Sequence, residues 1–325
     1  MPFLYVFITV WIWSIIPLAV KIAYASFNFG FIAFCRMAAG ALVFGLWHWT
    51  SGRGLRLASD DRRQDLPGPP FLGLGSWIFI AGVGIGGDLL LYTLGLGWTT
   101  ASAATLIVST DGVILALLAV LVLREPMSSL KALAALCALV GVVLVGWNGE
   151  DLGALFGSKY LVGNLAILAA ACCWATYGLG QRVLAATPGS SLFPIFVVGS
   201  GVTGVSLFFQ PPTHSPVTGP ALIAVVFLGV IATGVAYILL AKGMQRLEAA
   251  TVGLVSSTLP IWTMFQAHYF LDEAITPYLI AGALLIIAAV VLIIQHQRRH
   301  NATRGDSRPY GGELRGVGGT RGGRE

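Results

Sequence analysis

Residues 99–126 read TTASAATLIVSTDGVILALLAVLVLREP, and residues 247–274 read LEAATVGLVSSTLPIWTMFQAHYFLDEA. A shift of 148 positions lays the first stretch on the second without a gap, and the match runs on to residues 145 and 293. Ala101, Leu106, Ser109, Thr110, Glu125, Ala135, Leu136 and Val142 fall on Ala249, Leu254, Ser257, Thr258, Glu273, Ala283, Leu284 and Val290. Each copy is a long apolar run closed by a short acidic turn. Self-similarity of this kind points to a duplicated set of membrane helices.

Composition leads to the same class. Hydrophobic residues make up 56% of the chain and charged residues 10%, with a mean hydropathy of +0.83, which excludes an ordinary soluble domain. A spanning helix needs about 20 mostly apolar residues at roughly 1.5 Å rise each. Runs of that kind lie near 3–23, 29–49, 71–95, 99–122, 129–147, 160–181, 191–209, 219–241, 249–270 and 276–295. The unbroken apolar stretches 71–123 and 218–271 are too long for one crossing, so each must fold back. The breaks fall at 95–100 and 243–248, where glycine and polar residues interrupt the runs. The chain therefore reads as an all-α polytopic membrane protein of about ten transmembrane helices, with repeats over 1–149 and 150–295 and a tail over 296–325.

Lys and Arg in short loops stay on the cytoplasmic side. With both termini cytoplasmic, Arg53, Arg56, Arg62, Arg63, Arg124, Lys131, Arg182, Lys242, Arg246 and the tail arginines sort to the inside, while Lys21, Arg36 and Lys159 fall toward the outside. Five spans per half is an odd number, so the second half enters from the opposite face and the two five-helix repeats are inverted. Ala23-Tyr24-Ala25 resembles a signal cleavage site, but the first segment has no basic n-region and Trp11, Trp13 and Pro17 interrupt its core. It reads as a retained span. Its partner is span six, because a shift of 161 lays Trp13, Pro17 and Lys21 on Trp174, Gly178 and Arg182.

Several short patterns sit on these spans: Trp13-Ser14 followed by Lys21, Phe34-Cys35-Arg36, residues 100–104, Leu123-Arg124-Glu125, Leu271-Asp272-Glu273 and Leu259-Pro260. In these the chain resembles the EamA-like transporters of the drug/metabolite transporter superfamily, over residues 3 to 295. The resemblance implies ten helices in two inverted repeats around a central cavity, moving small polar or amphipathic solutes, often outward. It also gives Lys21 and Arg36 general transport or structural roles. Span four departs from the pattern, carrying Asp111-Gly112 where span nine has Leu259-Pro260.

A charge at the centre of a spanning helix costs about 2.5–3.5 kcal/mol even on a lenient scale, so such groups mark function or a paired network. Lys21, Arg36, Asp88 and Asp111 are the candidates of the first half. Either Arg36 pairs with Asp88 to hold the helices in register, or the set forms a proton or substrate site. Lys21 has a third option, to snorkel to the headgroups. Asp111 lies at mid-depth in span four and has no acidic counterpart in the second repeat. Asp88 and Tyr92 stand i, i+4 on one glycine-lined face of span three. Ser102, Thr105 and Ser109 lie roughly 200° from Asp111 on a continuous helix, which assigns that column to packing. Trp13, Tyr237, Trp262 and Gln266 complete the pathway candidates, and His268 is expected to be solvated.

Other patterns carry no chemistry. Residues 199–204 fit a dinucleotide-binding glycine template but lie inside an apolar span with no strand before them. The four cysteines lack metal-ligand spacing, no cofactor or metal site is expected, and Asn301-Ala302-Thr303 would face the cytoplasm. Trp47, Trp49 and Trp77 at one face, with Trp98 and Trp147 at the other, suit interfacial belts. The Gly/Arg-rich tail after residue 296 cannot build a core and is expected to be disordered, without a nucleic-acid partner.

The reading is a secondary transporter of a small metabolite, amino acid or amphipathic solute in the plasma (inner) membrane. It works by alternating access, with proton coupling open and either a monomer or a homodimer compatible. No ATPase motif is present, so either a gradient supplies the energy or transport is facilitated. An intramembrane aspartyl-protease-like enzyme is the rival, but Gly87-Asp88 and Thr110-Asp111 fit neither half of that signature. A membrane sensor without flux is the remaining alternative.

Overall fold

The structure, a computed structural model, describes residues 2–50, 72–124, 127–147, 159–184, 192–244 and 258–303, with residues 252, 255 and 256. The regular elements among these are helical, and the only extended pairing described is a single antiparallel bridge between Phe27 and Thr213. In chain order the elements are α1 (Pro2–Ser14), α2 (Ile16–Ala23), α3 (Phe29–Thr50), α4 (Leu74–Leu96), α5 (Ala101–Val108), α6 (Asp111–Val122) and α7 (Ser129–Trp147). They continue with α8 (Lys159–Val183), α9 (Leu192–Val205), α10 (Gly219–Val226), a π-helical segment (Phe227–Val235), α11 (Ala236–Met244), α12 (Leu259–Leu271) and α13 (Pro277–Thr303).

Seven helical units among the described residues are long and apolar enough to cross a membrane, and Ser129–Val145 and Leu192–Phe208 are shorter apolar helices. The expected break at 95–100 is present: α4 ends at Leu96, and Thr100 caps α5 by accepting from the Ala103 N–H at 3.0 Å. The break expected at 243–248, and most of the span expected to open at 249, lie outside the described residues. So do the loop 51–70 and Glu125.

Among the described residues two crossing units are interrupted at mid-length and a third break precedes α12, and in each the interruption follows from the residues. Pro17 has no N–H to offer the turn before it, and span one divides at Ile15 into α1 and α2. Span four divides at Ser109-Thr110. There the Thr110 hydroxyl donates back to the Ile107 carbonyl at 2.7 Å, and the Thr110 N–H reaches the same carbonyl at 3.1 Å. Thr258 repeats both bonds onto Val255, at 2.7 and 3.1 Å, just before Pro260. Thr110 and Thr258, like Ile107 and Val255, are 148 apart. The non-glycine residues with positive φ keep the same spacing: Arg124 at 55° after α6 and Asp272 at 52° after α12. The matched segments thus share their breaks and their terminal twist as well as their residues.

Helices meet through glycine. Cβ atoms added at Gly84 and Gly95 of α4 would come within 2.8 Å of the Cys173 carbonyl and the Ile167 side chain on α8. A Cβ at Gly163 of α8 would meet the Trp98 backbone at 2.7 Å. The α4–α8 contact is therefore close to backbone on backbone, the arrangement small residues permit in lipid. Gly243 sits against Val6 where α11 meets α1, and Gly141 and Gly282 oppose each other where α7 crosses α13. Packed pairs come in exchanged sets. α4 meets α8 and α9, while the unit α10 to α11 meets α1–α2 and α3; α6 meets α8, while α12 meets α1.

Two expectations are corrected. Trp77 is 2% exposed and belongs to the core beside Ala81 and Ile85, not to an interfacial belt, whereas Trp49 is 82% exposed. Its flanks, Ile78 and Ala81, are buried because this stretch of α4 faces neighbouring helices on the side Trp77 occupies. The last helix continues to Thr303, so residues 296–303 extend α13 instead of starting the tail.

Gly84→Ala should destabilise the protein by about 1–3 kcal/mol, as overpacking against backbone does. Gly201→Ala, which meets nothing within 4 Å, should be neutral or stabilising by up to about 1 kcal/mol. Thermal unfolding of the two variants in detergent measures the contrast.

Candidate functional site

Arg36 lies two turns into α3 and is 5% exposed. The facing π-helical segment brings Gly229 against the Cys35 carbonyl and the Arg36 Cα. That closeness shields the guanidinium stem from lipid. The guanidinium Nε and Nη1 have no hydrogen-bond acceptor. Asp88, 6% exposed on α4, lies in the electrostatic field of Arg36 without forming an ion pair within 4.0 Å, so of the two alternatives the direct Arg36–Asp88 bridge is not made. The glycines of α4 hold Asp88 against α8, and that backbone seam fixes where the carboxylate can stand.

Asp111 opens α6 at the mid-span break, and its Oδ1 accepts from the Gly112 N–H at 2.5 Å. A carboxylate suits the N-terminal end of a helix, where unpaired N–H groups and the dipole favour negative charge. Asp111 interacts electrostatically with Asp88 and Tyr237, and Tyr92 with Arg36 and Asp88. Arg36, Asp88, Tyr92, Asp111 and Tyr237 are thereby gathered from four spans into one region. The roughly 200° separation of Asp111 from the Ser102–Thr105–Ser109 column holds only under the assumption of an unbroken helix. The break at Ser109-Thr110 removes that assumption, and Thr105 lies beside Tyr92.

An aromatic group borders the charges. The Tyr237 ring centroid is 5.4 Å from Trp13, 5.9 Å from Trp174 and 5.3 Å from Phe196, and Trp174 is 5.4 Å from Tyr177. Trp13 and Trp174, paired by the 161-residue shift, meet edge to face at 6.0 Å. The Trp13 indole N–H donates to the Ala232 carbonyl at 3.0 Å, within the π-helical segment, and the Thr9 hydroxyl donates to the Ala236 carbonyl at 3.1 Å. π geometry is frequent at functional sites, and here it ends two residues before Tyr237. Sequence reading missed Trp174, Tyr177 and Phe196. The Trp13–Trp174 match was the available signal, since the two matched rings meet.

The remaining candidates fall elsewhere. Gln266 donates to the Ser14 hydroxyl at 2.9 Å, and Thr263 donates to the Ser14 carbonyl at 3.3 Å, which fastens α12 to the break in span one. Trp262 packs on Trp11 and Phe7 at 5.1 and 6.3 Å. Lys21 turns toward the bundle: its Nζ donates to the Thr99 carbonyl at 3.1 Å and lies 3.6 Å from Glu273 Oε1.

That end of the bundle is closed by polar contacts. Glu273 accepts from the Ala101 N–H, the Ser102 N–H and the Ser102 hydroxyl at 2.7, 3.0 and 2.8 Å. The Thr99 hydroxyl donates to Asn164 at 2.5 Å, and Asn28 donates to the Pro211 carbonyl at 2.6 Å. The Tyr24 phenol donates to the Thr93 carbonyl at 2.5 Å, and burial raises its pKa, which keeps it a donor. His268 is exposed, as expected, and its ring lies 3.0 Å from the Glu273 carbonyl. A cavity of about 620 Å³ beside this layer is lined by Lys21, Tyr24, Asn28, Trp98 and Gln210, among others.

Comparison with known proteins accords with this architecture. The chain is 29% identical over 222 residues to the uncharacterized transporter YyaM of Bacillus subtilis, covering 66% of this chain and 72% of that one. It is 30% identical over 128 residues to the aromatic amino acid exporter YddG of Ancylobacter novellus, covering 39% and 44% of the two chains. One crystal structure superposes with a TM-score of 0.62 at 21% identity, over 90% of this chain and 97% of the other, and shares the fold. The sequence profile of the EamA-like transporter family matches residues 1–147 and again 161–295. The chain therefore belongs to the EamA-like transporter family and is a multi-pass membrane transporter.

Proposed function

We propose that this transporter is a secondary exporter of a small zwitterionic solute with an apolar or aromatic body. It works by alternating access between two inverted five-helix repeats of a ten-span chain, in the plasma (inner) membrane with both termini cytoplasmic. One observation carries the substrate reading: a guanidinium buried at membrane depth with Nε and Nη1 unpartnered. Nature rarely leaves such a group without an acceptor, because an unpaired buried donor costs its full desolvation. A substrate carboxylate would supply two acceptors to Arg36 in the planar geometry a guanidinium favours.

The substrate's ammonium would then face Asp88 and Asp111, and its apolar part the rings of Trp13, Trp174 and Tyr237. Tyr92 stands between the charged and hydroxyl groups. The partial similarity to an aromatic amino acid exporter supports an amino-acid-like solute. Asp111, at a helix break and outside any ion pair within 4.0 Å, is the group proposed to exchange protons during coupled transport. Lys21 has its proposed role at the entrance, and Trp262 and Gln266 theirs in holding span nine to span one.

The test is flux in proteoliposomes with an imposed pH gradient, offering aromatic amino acids, the corresponding amides, sugars and amphipathic cations. The zwitterions should move and the amides, which lack the carboxylate, should not. Loss of charged hydrogen bonds worth about 1.5–3 kcal/mol predicts that Arg36→Gln lowers apparent affinity roughly 10- to 100-fold. Equal flux of amides and acids, or an Arg36→Gln variant with unchanged affinity, would remove this reading. Asp111→Asn should abolish gradient-driven accumulation while leaving exchange of internal for external substrate. Retained pH-driven accumulation in that variant would exclude Asp111 as the coupling group.

A further inference from the structure

We infer that Glu273 is a latch between the two halves, holding α5 shut against the turn after α12 and releasing it when this end of the transporter opens. The inference rests on the alternating-access reading above. Glu273 belongs to the second half of the chain, yet the partners of its carboxylate belong to the first half: the Ala101 and Ser102 N–H groups, the Ser102 hydroxyl and the Lys21 ammonium. The side chain is 10% exposed, so these contacts replace most of its hydration.

The geometry is that of a clasp. Asp272 takes a left-handed turn at φ 52°, which reverses the chain after α12 and delivers the next residue across the gap. At the receiving side, the first N–H groups of α5 have no helical partner, and the helix dipole adds to their attraction for a carboxylate. α5 itself is a short rod of eight residues that ends at the Ser109-Thr110 break. Clasped at one end and broken at the other, it can swing only when the clasp lets go. Asp111 is the first residue beyond the break, so movement of α5 is transmitted to the candidate site. The cavity beside Lys21, Tyr24 and Trp98 gives the freed end room.

The helix end, and not the ion pair, supplies most of the hold. Three hydrogen bonds to the carboxylate are at 2.7–3.0 Å, whereas the Lys21 ammonium is 3.6 Å away and its side chain 28% exposed. Partly exposed pairs of that kind contribute little.

The full-length protein with its native cysteines replaced provides two readouts. In the first, Trp98→Cys and Ile275→Cys carry spin labels, both positions being exposed. Glu273→Ala should raise the fraction of the longer inter-label distance about tenfold or more, and Lys21→Gln less than about threefold. An unchanged distance distribution in folded Glu273→Ala would overturn the latch. In the second, Ser102→Cys and Glu273→Cys are joined by a short reducible linker in proteoliposomes. Flux should stop on linking and return on reduction; full flux in the linked protein would overturn the latch. If the unmodified transporter moves none of the offered solutes, the substrate reading fails while the spin-label comparison still decides the latch.

Discussion

In hydrocarbon, a backbone carbonyl or N–H without a partner costs several kcal/mol, so a membrane helix can break only where something else satisfies the groups it frees. This chain breaks or loosens its helices at Ile15, at Ser109-Thr110, at Thr258 and along Phe227–Val235. In each place a side-chain hydrogen bond accompanies the irregular backbone. Thr110 and Thr258 fold their hydroxyls back onto the preceding turn, Thr263 reaches the Ser14 carbonyl, and Trp13 reaches into the π-helical segment. The interior polar residues of this transporter are therefore first the price of irregular backbone at depth, and only the remainder is free for substrate.

That remainder is small and concentrated. Arg36, Asp88 and Asp111 stand outside the repairs, along with the phenols of Tyr92 and Tyr237. Their charges do not neutralise one another by contact, although they share one field. A network built for rigidity would close such pairs, since a lone buried charge is costly while a paired one is tolerated. An open guanidinium leaves two donors for the carboxylate proposed above.

Much of the fold was legible because membrane solvation acts on runs of about 20 residues, which are visible without knowing any contact. The duplication was legible for the same reason, and Thr110 and Thr258 show it reaching down to single hydrogen bonds. The functional region was legible only in its ionisable residues. Trp174, Tyr177 and Phe196 look like ordinary apolar filling in a chain that is 56% hydrophobic, and only their convergence on Tyr237 sets them apart. Helical angles around span four do not carry across the break because 3.6-residue periodicity holds only along an unbroken rod, and the partner of Lys21 was not legible because it is 252 positions away. The αL turns at Arg124 and Asp272 carry no glycine to announce them.

The indole of Trp13 has a mechanical consequence. It joins the first half's opening span to the second half's π-wound span, while Thr9 fastens the same two helices a turn away. On the proposed alternating-access cycle, the helices so joined would travel together as a single strut, and the glycine seam between α4 and α8 would make a second. A machine with two stiff braces has few joints left to bend, so diversification of cargo in this lineage would be expected to proceed through the rings and charges hung between the braces, leaving the braces themselves alone.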